Sequence, residues 1–145
     1  MVGVLKGGAR FANALQSALY KLQADVPIDY MQMSSYGQNR ESSHHPTLVK
    51  DIDPKVNLSQ LHVIVAEDLI DGGWTLQEVV RILGLREPLS LMVIALLAKV
   101  DQVQVAAQVD MVGFRLSGNP WIEGFGIDSS EFGRGRDEVV EILPD

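Results

Sequence analysis

The chain has 145 residues, a formal net charge of −7 and a pI of about 4.8. Its apolar content of 46% and charged content of 21% are ordinary for a globular protein, so we expect one folded domain rather than a disordered chain. The acidic balance argues against a nucleic-acid or anionic-membrane binder, because contact with phosphate groups needs a basic surface.

The chain contains no cysteine, which excludes disulfides and thiolate metal sites. The start "MVGVLKGGAR" has no apolar segment with a cleavage site, so it is not a secretory signal. The longest apolar run, "LSLMVIALLAKV" (89–100), is too short to span a bilayer. These features together predict a cytosolic location.

The first half of the chain predicts two strands and a helix. "VGVL" (2–5) reads as a buried strand that ends at two glycines, and "ARFANALQSALYKLQ" follows it as a helix. The apolar positions of that helix recur at helical spacing: Phe11, Leu15, Leu19 and Leu22. "PIDYMQMSSY" (27–36) predicts a second strand, and the polar stretch from Gly37 to Thr47 predicts a mobile loop.

The second half continues the alternation. "LHVIVAED" (61–68) predicts a third, continuously apolar strand, and "TLQEVVRILG" (75–84) predicts a helix that ends at a glycine. "SLMVIALLAK" (90–99) predicts a fourth strand, although its length leaves a helix open, and "VDMVGFRL" (109–116) predicts a short strand. This order is typical of an α/β fold with a mostly parallel sheet, which binds ligands beyond the carboxyl ends of its strands.

The stretch "EDLIDGGWT" (67–75) follows the third strand with acids and then glycines. A turn over residues 71–75 that opens a helix presents backbone N–H groups at the positive end of the helix dipole, which is favourable for a phosphate. Glu67 and Asp68 are suited to accept hydrogen bonds from two sugar hydroxyls. The alternative is an exposed acidic turn before an ordinary helix, and the pattern alone does not choose between the two.

Other candidate site residues carry weaker signals. Lys6 in "VLKGG" is a cation at a second strand-to-helix turn, and two such turns favour a substrate with two phosphate centres. Lys99 ends an apolar strand, where it either reaches solvent or donates to a ligand carbonyl. Trp121 either packs on the protein or stacks on a flat ring. The three histidines show no metal-ligand spacing and read as structural or solvated.

The motifs in their order resemble the hypoxanthine–guanine phosphoribosyltransferases, a group of the type I phosphoribosyltransferases. The resemblance covers nearly the whole chain. It rests on "VLKGG", "DYMQMSSYG", "LVKDID", "VIVAEDLIDGGWTL", "ALLAK", "VDMVGF" and "GFGIDSSEFGR".

The resemblance implies transfer of the 5-phosphoribosyl group from phosphoribosyl pyrophosphate to N9 of a 6-oxopurine, with Mg²⁺, to give IMP or GMP and pyrophosphate. It implies a type I fold in a single domain, 1–145, with a core at about 1–118 and a C-terminal hood at about 119–145. It also implies a homodimer or homotetramer. A non-catalytic relative that binds phosphoribosyl pyrophosphate or a nucleotide as a regulatory module is the alternative function.

The resemblance also implies residue roles. Asp71 is the general acid/base candidate near purine N7, and the peptide entering Lys6 is expected to be cis. Ribose and 5′-phosphate are assigned to Glu67, Asp68, Gly72, Gly73, Trp74 and Thr75, and pyrophosphate to Lys6, Gly7 and Arg134. The purine is assigned to Lys99, Trp121, Ile122 and Asp128, magnesium to Glu67, Asp68 and Asp128, and the opening of the mobile loop to Ser35 and Tyr36.

Several positions depart from the family pattern. Gly72 replaces a usual Thr or Ser and so lacks one hydroxyl donor, and a hydrogen bond to a charged group contributes roughly 1.5–3 kcal/mol. Trp121 replaces a usual Phe, and "WIE" (121–123) is similar to the bacterial xanthine–guanine enzymes. Glu123 is unexpected beside a base site, so the base preference is open and xanthine is a further candidate. Relatives usually carry a longer segment before "VLKGG", which packs on the sheet. Without that segment an apolar face of the core would be exposed, and we expect oligomerisation to cover part of it.

Overall fold

The fold comes from a computed structural model, which describes residues 1–34, 46–105 and 108–143. The helices are α1 (Gly8–Lys21) and α2 (Trp74–Gly84), with a 3-10 turn at Leu58–Gln60. The strands are β1 (Val2–Leu5), β2 (Asp29–Ser34), β3 (Thr47–Lys50), β4 (His62–Ile70), β5 (Ser90–Lys99), β6 (Met111–Leu116), β7 (Ile122–Glu123) and β8 (Val140–Glu141).

Six strands form one sheet in the order β3-β2-β1-β4-β5-β6. All neighbouring pairs from β2 to β6 are parallel, and only β3 runs antiparallel, against β2. Strands β7 and β8 form a separate antiparallel pair in the C-terminal segment. The predicted α/β class with a mostly parallel sheet is confirmed.

The two helices cover opposite faces of the sheet. Helix α1 packs on β1 and β4, and Gly3 makes this approach close, because a Cβ there would lie 3.0 Å from the Cβ of Ala12. The neighbouring Val2 and Val4 face the other way and join the main core with Leu76 and Val79 of α2. The sheet is thus buried on both sides at its centre. The carboxyl ends of its parallel strands lie along one edge.

Three details differ from the sequence-based expectation. Strand β4 continues to Ile70 rather than ending near Asp68, so Glu67 lies inside the strand. Helix α1 ends at Lys21, which leaves Leu22 as the C-cap with 77% exposure instead of on the buried face. Strand β3 was not predicted, because a four-residue exposed strand carries no burial pattern.

Within the described residues, no helix is long and apolar enough to cross a membrane.

Candidate functional site

The candidate site lies at the edge where the parallel strands end. Lys6 follows β1, Asp71 follows β4, and Lys99 is the last residue of β5. Because carboxyl ends of parallel strands meet at one edge, the topology gathers residues that are far apart in sequence. Residues 119–143 approach this edge from the C-terminal side, since Lys99 Nζ lies 2.9 Å from Asn119 Oδ1 and Lys6 Nζ lies 3.0 Å from Glu131 Oε2.

The turn after β1 touches the acid pair of β4 directly. The peptide bond between Leu5 and Lys6 is cis, as the resemblance implies. A Cβ on Gly7 would lie only 1.8 Å from Asp68 Oδ2, so the carboxylate takes the space that any side chain would need. A Cβ on Gly8 would similarly lie 3.0 Å from the carbonyl oxygen of Ala66. The double glycine therefore lets the turn pack against the end of β4.

The two acids of β4 have different environments. Asp68 is partly exposed beside Gly7, whereas Glu67 is buried. Burial raises the pKa of Glu67 well above its ordinary value, and the neighbouring charge of Asp68 raises the same pKa further. The backbone N–H of Asp68 donates to Glu67 Oε1 at 3.3 Å. Glu67 thus retains a proton at a higher pH than an ordinary carboxyl, while Asp68 remains partly exposed at the edge of the sheet.

Asp71 and Lys99 form an ion pair across the strand ends. Lys99 Nζ lies 3.2 Å from Asp71 Oδ2 and also donates to Asn119 Oδ1 at 2.9 Å. The lysine side chain is 6% exposed and the aspartate side chain 55% exposed. A buried ammonium is therefore held by two oxygen atoms at the rim of the site, and the carboxylate that pairs with it is open to solvent.

The turn after β4 opens helix α2. Gly73 is its N-cap, with a left-handed φ of +90° that favours glycine, and no side chain caps the helix start. The carbonyl oxygen of Gly72 accepts hydrogen bonds from the N–H groups of Gln104 and Val105, at 3.0 and 3.4 Å. Trp74 Nε1 donates to Gln104 Oε1 at 3.3 Å. The turn is thus held by residues outside the helix, and the first amides of α2 receive no side-chain cap.

The C-terminal segment carries a charged network next to Lys6. Arg134 pairs with Asp128 Oδ1 at 2.7 Å, and Asp128 Oδ2 accepts from the N–H of Glu131 at 2.8 Å. Glu131 Oε2 lies 3.0 Å from Lys6 Nζ and 3.7 Å from Arg134 Nη2. Lys6 lowers the pKa of the Glu131 carboxyl through this contact. The two cations expected to bind pyrophosphate therefore share one carboxylate oxygen.

The residues expected at the purine differ in exposure. Trp121 is 58% exposed, and its indole Nε1 donates to Ser129 Oγ at 2.9 Å. Ile122 is buried and packs with Leu97 and Ile127 between the sheet and the C-terminal segment. An exposed, oriented ring beside a buried neighbour is a suitable platform for a flat ligand.

Sequence patterns do not reveal two residues of this site. Asn119 binds Lys99 from a loop, and Glu131 lies in a tight turn at a left-handed φ of +70°. Glu131 occurs within "DSSEFGR", but spacing does not show that its carboxylate reaches a lysine 125 residues away. Ser35 and Tyr36 lie outside the described residues, as does most of the predicted loop from 37 to 47.

The described residues contain no group of three or more acidic, histidine or cysteine side chains that could hold a metal ion by themselves. The predicted ligands therefore do not form a complete protein cage. Mg²⁺ commonly uses one or two carboxylates together with substrate phosphates and water. Asp68, which is partly exposed, fits that mode as a carboxylate ligand, with the substrate bringing most of the others. Glu67, which is buried and holds its proton, fits a hydrogen bond to a ligand better than a bond to the metal.

Comparison with known proteins identifies the family of the chain. A family model described as the phosphoribosyl transferase domain matches residues 1–130. Hypoxanthine phosphoribosyltransferase of Haemophilus influenzae is 35% identical over 143 residues, which cover 99% of this chain and 76% of that protein. Hypoxanthine-guanine phosphoribosyltransferase of Aquifex aeolicus is 32% identical over 142 residues, covering 98% and 76%.

Solved structures show the same fold. Hypoxanthine phosphoribosyltransferase from Trypanosoma cruzi, in complex with the product IMP, superposes with a TM-score of 0.88 at 28% identity, covering 99% of this chain and 74% of that one. The type I phosphoribosyltransferase fold is confirmed. The chain belongs to the phosphoribosyltransferase family, and within it to the hypoxanthine–guanine phosphoribosyltransferases, the enzymes of purine salvage.

The raised pKa of Glu67 generates a prediction about stability and pH. The folded protein binds this proton more tightly than the unfolded chain, whose glutamates titrate near 4.5. The stabilisation that comes from binding this proton is therefore complete below pH 4.5. It is lost as the pH rises through the pKa of Glu67 in the folded protein. Glu67→Gln should raise the free energy of unfolding at pH 7 to 8, because glutamine is neutral without the proton that the buried carboxyl must take up on folding.

Urea unfolding between pH 4 and 8 measures this effect. The gain should shrink toward pH 4, where both forms carry a neutral side chain. Glu138→Gln, at an exposed acid of the C-terminal segment, is the matched control and should change stability little. A gain for Glu67→Gln that is equally large at pH 4 and pH 8 would contradict the assignment.

Proposed function

We propose that this enzyme transfers the 5-phosphoribosyl group of phosphoribosyl pyrophosphate to N9 of hypoxanthine or guanine, with xanthine as a further candidate base. The bond between C1 and the pyrophosphate oxygen breaks, and a bond between C1 and N9 forms. The base enters carrying a proton at N7, which leaves for the enzyme. The products are a purine mononucleotide, IMP or GMP, and pyrophosphate.

The observation that supports this proposal most directly is the pair of Asp71 and Lys99. Oxygen O6 and nitrogen N7 are neighbouring positions on one edge of a 6-oxopurine. An ammonium and a carboxylate 3.2 Å apart match that edge, with Lys99 donating to O6 and Asp71 accepting the N7 proton. Because Lys99 is buried and also held by Asn119, its ammonium has little freedom and can discriminate a carbonyl from an amino group.

The neighbouring residues suit the phosphoribosyl part of the substrate. We assign the ribose hydroxyls to Asp68 and Glu67, and the 5′-phosphate to the amides and hydroxyl of 72–75, where the helix start favours an anion. Bound Mg²⁺ would neutralise part of the substrate charge and polarise the leaving pyrophosphate. Asp128 contributes indirectly in this proposal, since it fixes the guanidinium of Arg134.

The cations Lys6 and Arg134, together with the Gly7 amide, are the proposed pyrophosphate ligands. Glu131 neutralises both cations in the absence of substrate, through contacts of 3.0 and 3.7 Å. Pyrophosphate carries more negative charge than one carboxylate, so it displaces Glu131. The exposed ring of Trp121 stacks on the base in this proposal, and the backbone of Ile122 meets the edge of the base.

The deciding experiment incubates the protein with phosphoribosyl pyrophosphate, Mg²⁺ and each base in turn, and follows nucleotide formation. Product with hypoxanthine or guanine supports the proposal. Tight binding of phosphoribosyl pyrophosphate without product for any base would support the non-catalytic alternative, which the family relationship does not favour.

The role of Asp71 generates a prediction about catalysis. Asp71→Asn preserves the size of the side chain but cannot accept the N7 proton, so kcat should fall roughly a hundredfold or more. The Kd of the mononucleotide should change much less, because the amide can still pair with Lys99. Steady-state kinetics and calorimetry measure the two quantities. Asp25→Asn, at an exposed acid outside the site, is the control, and equal losses in kcat and nucleotide binding would remove the proton-transfer role.

The position of Glu131 generates a prediction about affinity. Glu131→Gln removes the carboxylate that competes for Lys6 and Arg134, so magnesium pyrophosphate should bind roughly two- to fivefold more tightly, as expected for an exposed ion pair. Calorimetric titration checks this, with Glu138→Gln as a control of the same charge change. Unchanged or weaker binding by Glu131→Gln would show that Glu131 does not compete for these cations.

A homodimer or homotetramer is proposed for this chain. Strand β6 is an edge of the sheet, and its Met111 and Phe114 are exposed. An apolar edge strand is a ready surface for association. Light scattering should give a mass at least twice the 15.9 kDa of one chain, and a monomeric mass at micromolar concentration would contradict the proposal. The division into a core at about 1–118 and a hood at about 119–145 stays a prediction.

A further inference from the structure

Arg10 connects the start of helix α1 to the C-terminal segment. It lies on the first turn of α1, four residues after Lys6. Its Nη1 donates to the carbonyl oxygen of Arg136 and, at 3.4 Å, to that of Arg134. Its Nη2 pairs with the carboxylate of Asp137. The guanidinium also covers the ring of Phe125, with its central carbon 4.9 Å from the ring centroid.

The two carbonyl oxygens that Arg10 binds also belong to the backbone pairing of the C-terminal segment. The N–H of Phe125 donates to the carbonyl of Arg136 at 3.0 Å, and the N–H of Gly126 donates to the carbonyl of Arg134 at 3.1 Å. The side chain of Arg134 returns to the carbonyl of Gly126 at 2.8 Å. Arg10 therefore binds the same two carbonyls, of Arg134 and Arg136, that pair the backbone at 134–136 with the backbone at 125–126.

The same contact region leaves no room at Gly126. Its φ is +104°, and a Cβ there would lie 2.3 Å from the carbonyl oxygen of Gly7 and 3.3 Å from the Cβ of Arg10. The C-terminal segment thus rests directly on the turn that carries Lys6 and Gly7. The relative position of the Lys6 turn and Arg134 depends on this interface.

The residue type at position 10 is not explained by helix formation. A cation in the first turn opposes the helix dipole, which favours acids at that end. Its donors contact a carboxylate and backbone carbonyls, so Arg10 is not free to bind an anionic substrate. A planar guanidinium presents several donors in fixed directions, whereas an ammonium is a point charge on a flexible chain.

We propose that Arg10 is a positioning residue for pyrophosphate binding: it fastens the backbone at 134–136 to the start of α1 and so places Arg134 beside Lys6. The inference rests on the proposed function for the identity of the ligand. Arg10 itself touches no reacting atom. It acts through Lys6 and Arg134, the two cations proposed to bind pyrophosphate. The predicted consequence is that both charge and fork geometry at position 10 are needed.

The experiment compares Arg10→Met, Arg10→Lys and the matched control Arg81→Met. Arg81 is also a helical arginine in an ion pair, with Glu78 on α2, away from the site. Hydrogen exchange by mass spectrometry reports the amides of 124–137, and calorimetry reports the affinity for magnesium pyrophosphate. Both Arg10 variants should exchange faster in 124–137. They should bind roughly ten- to a hundredfold more weakly, the size expected when a hydrogen bond to a charged group is lost.

Exchange in β4 and β5 should remain as in the unchanged protein, which separates a local effect from unfolding. Arg81→Met should match the unchanged protein in both measurements. If Arg10→Lys behaved like the unchanged protein, charge alone would suffice and the proposal would be overturned. Unchanged exchange at 124–137 in Arg10→Met would also overturn it. If the unchanged protein binds no pyrophosphate, the proposed function fails, while the exchange data still decide whether Arg10 holds the segment.

Discussion

The close packing around Gly7 is the constraint on which the site depends. Asp68 Oδ2 occupies the space of a Cβ at Gly7, and the carbonyl oxygen of Gly7 lies against Gly126. Three separate parts of the chain, the β1 turn, the end of β4 and the C-terminal segment, therefore meet at one residue without a side chain. Any larger residue there separates the acids of β4 from the cation of the β1 turn. This contact brings together the positions that we propose for the sugar, the 5′-phosphate and the pyrophosphate.

The protein is acidic, yet the candidate site collects its cations at one edge. Lys6, Arg134 and Lys99 each have a carboxylate partner within 3.2 Å. This arrangement keeps the cations compensated when no anion is bound, and it leaves the surface as a whole negative. A dense anion then gains affinity locally, where several compensated cations converge, rather than from a general positive field.

Much of the site was predictable from particular residues. The apolar runs that end near Lys6, Asp68 and Lys99 predicted strand ends at one edge. The structure brings Lys99 into contact with Asp71, which follows β4. The extension of β4 to Ile70 was not predictable, because the acids at 67 and 68 resemble the end of a strand. Glu67 can be buried inside the strand because it keeps its proton and is uncharged there, as its raised pKa indicates. Strand β3 was missed since it is short and exposed.

The sequence by itself determined the α/β class, the glycine turns and the order of the motifs, because these depend on local periodicity and on residue types close together in the chain. The tertiary structure alone decided which distant residues meet. Arg10 reaches 134–137 and Glu131 reaches Lys6 across more than 120 residues. Such contacts depend on how the C-terminal segment rests on the sheet edge, which is a property of packing and not of spacing along the chain.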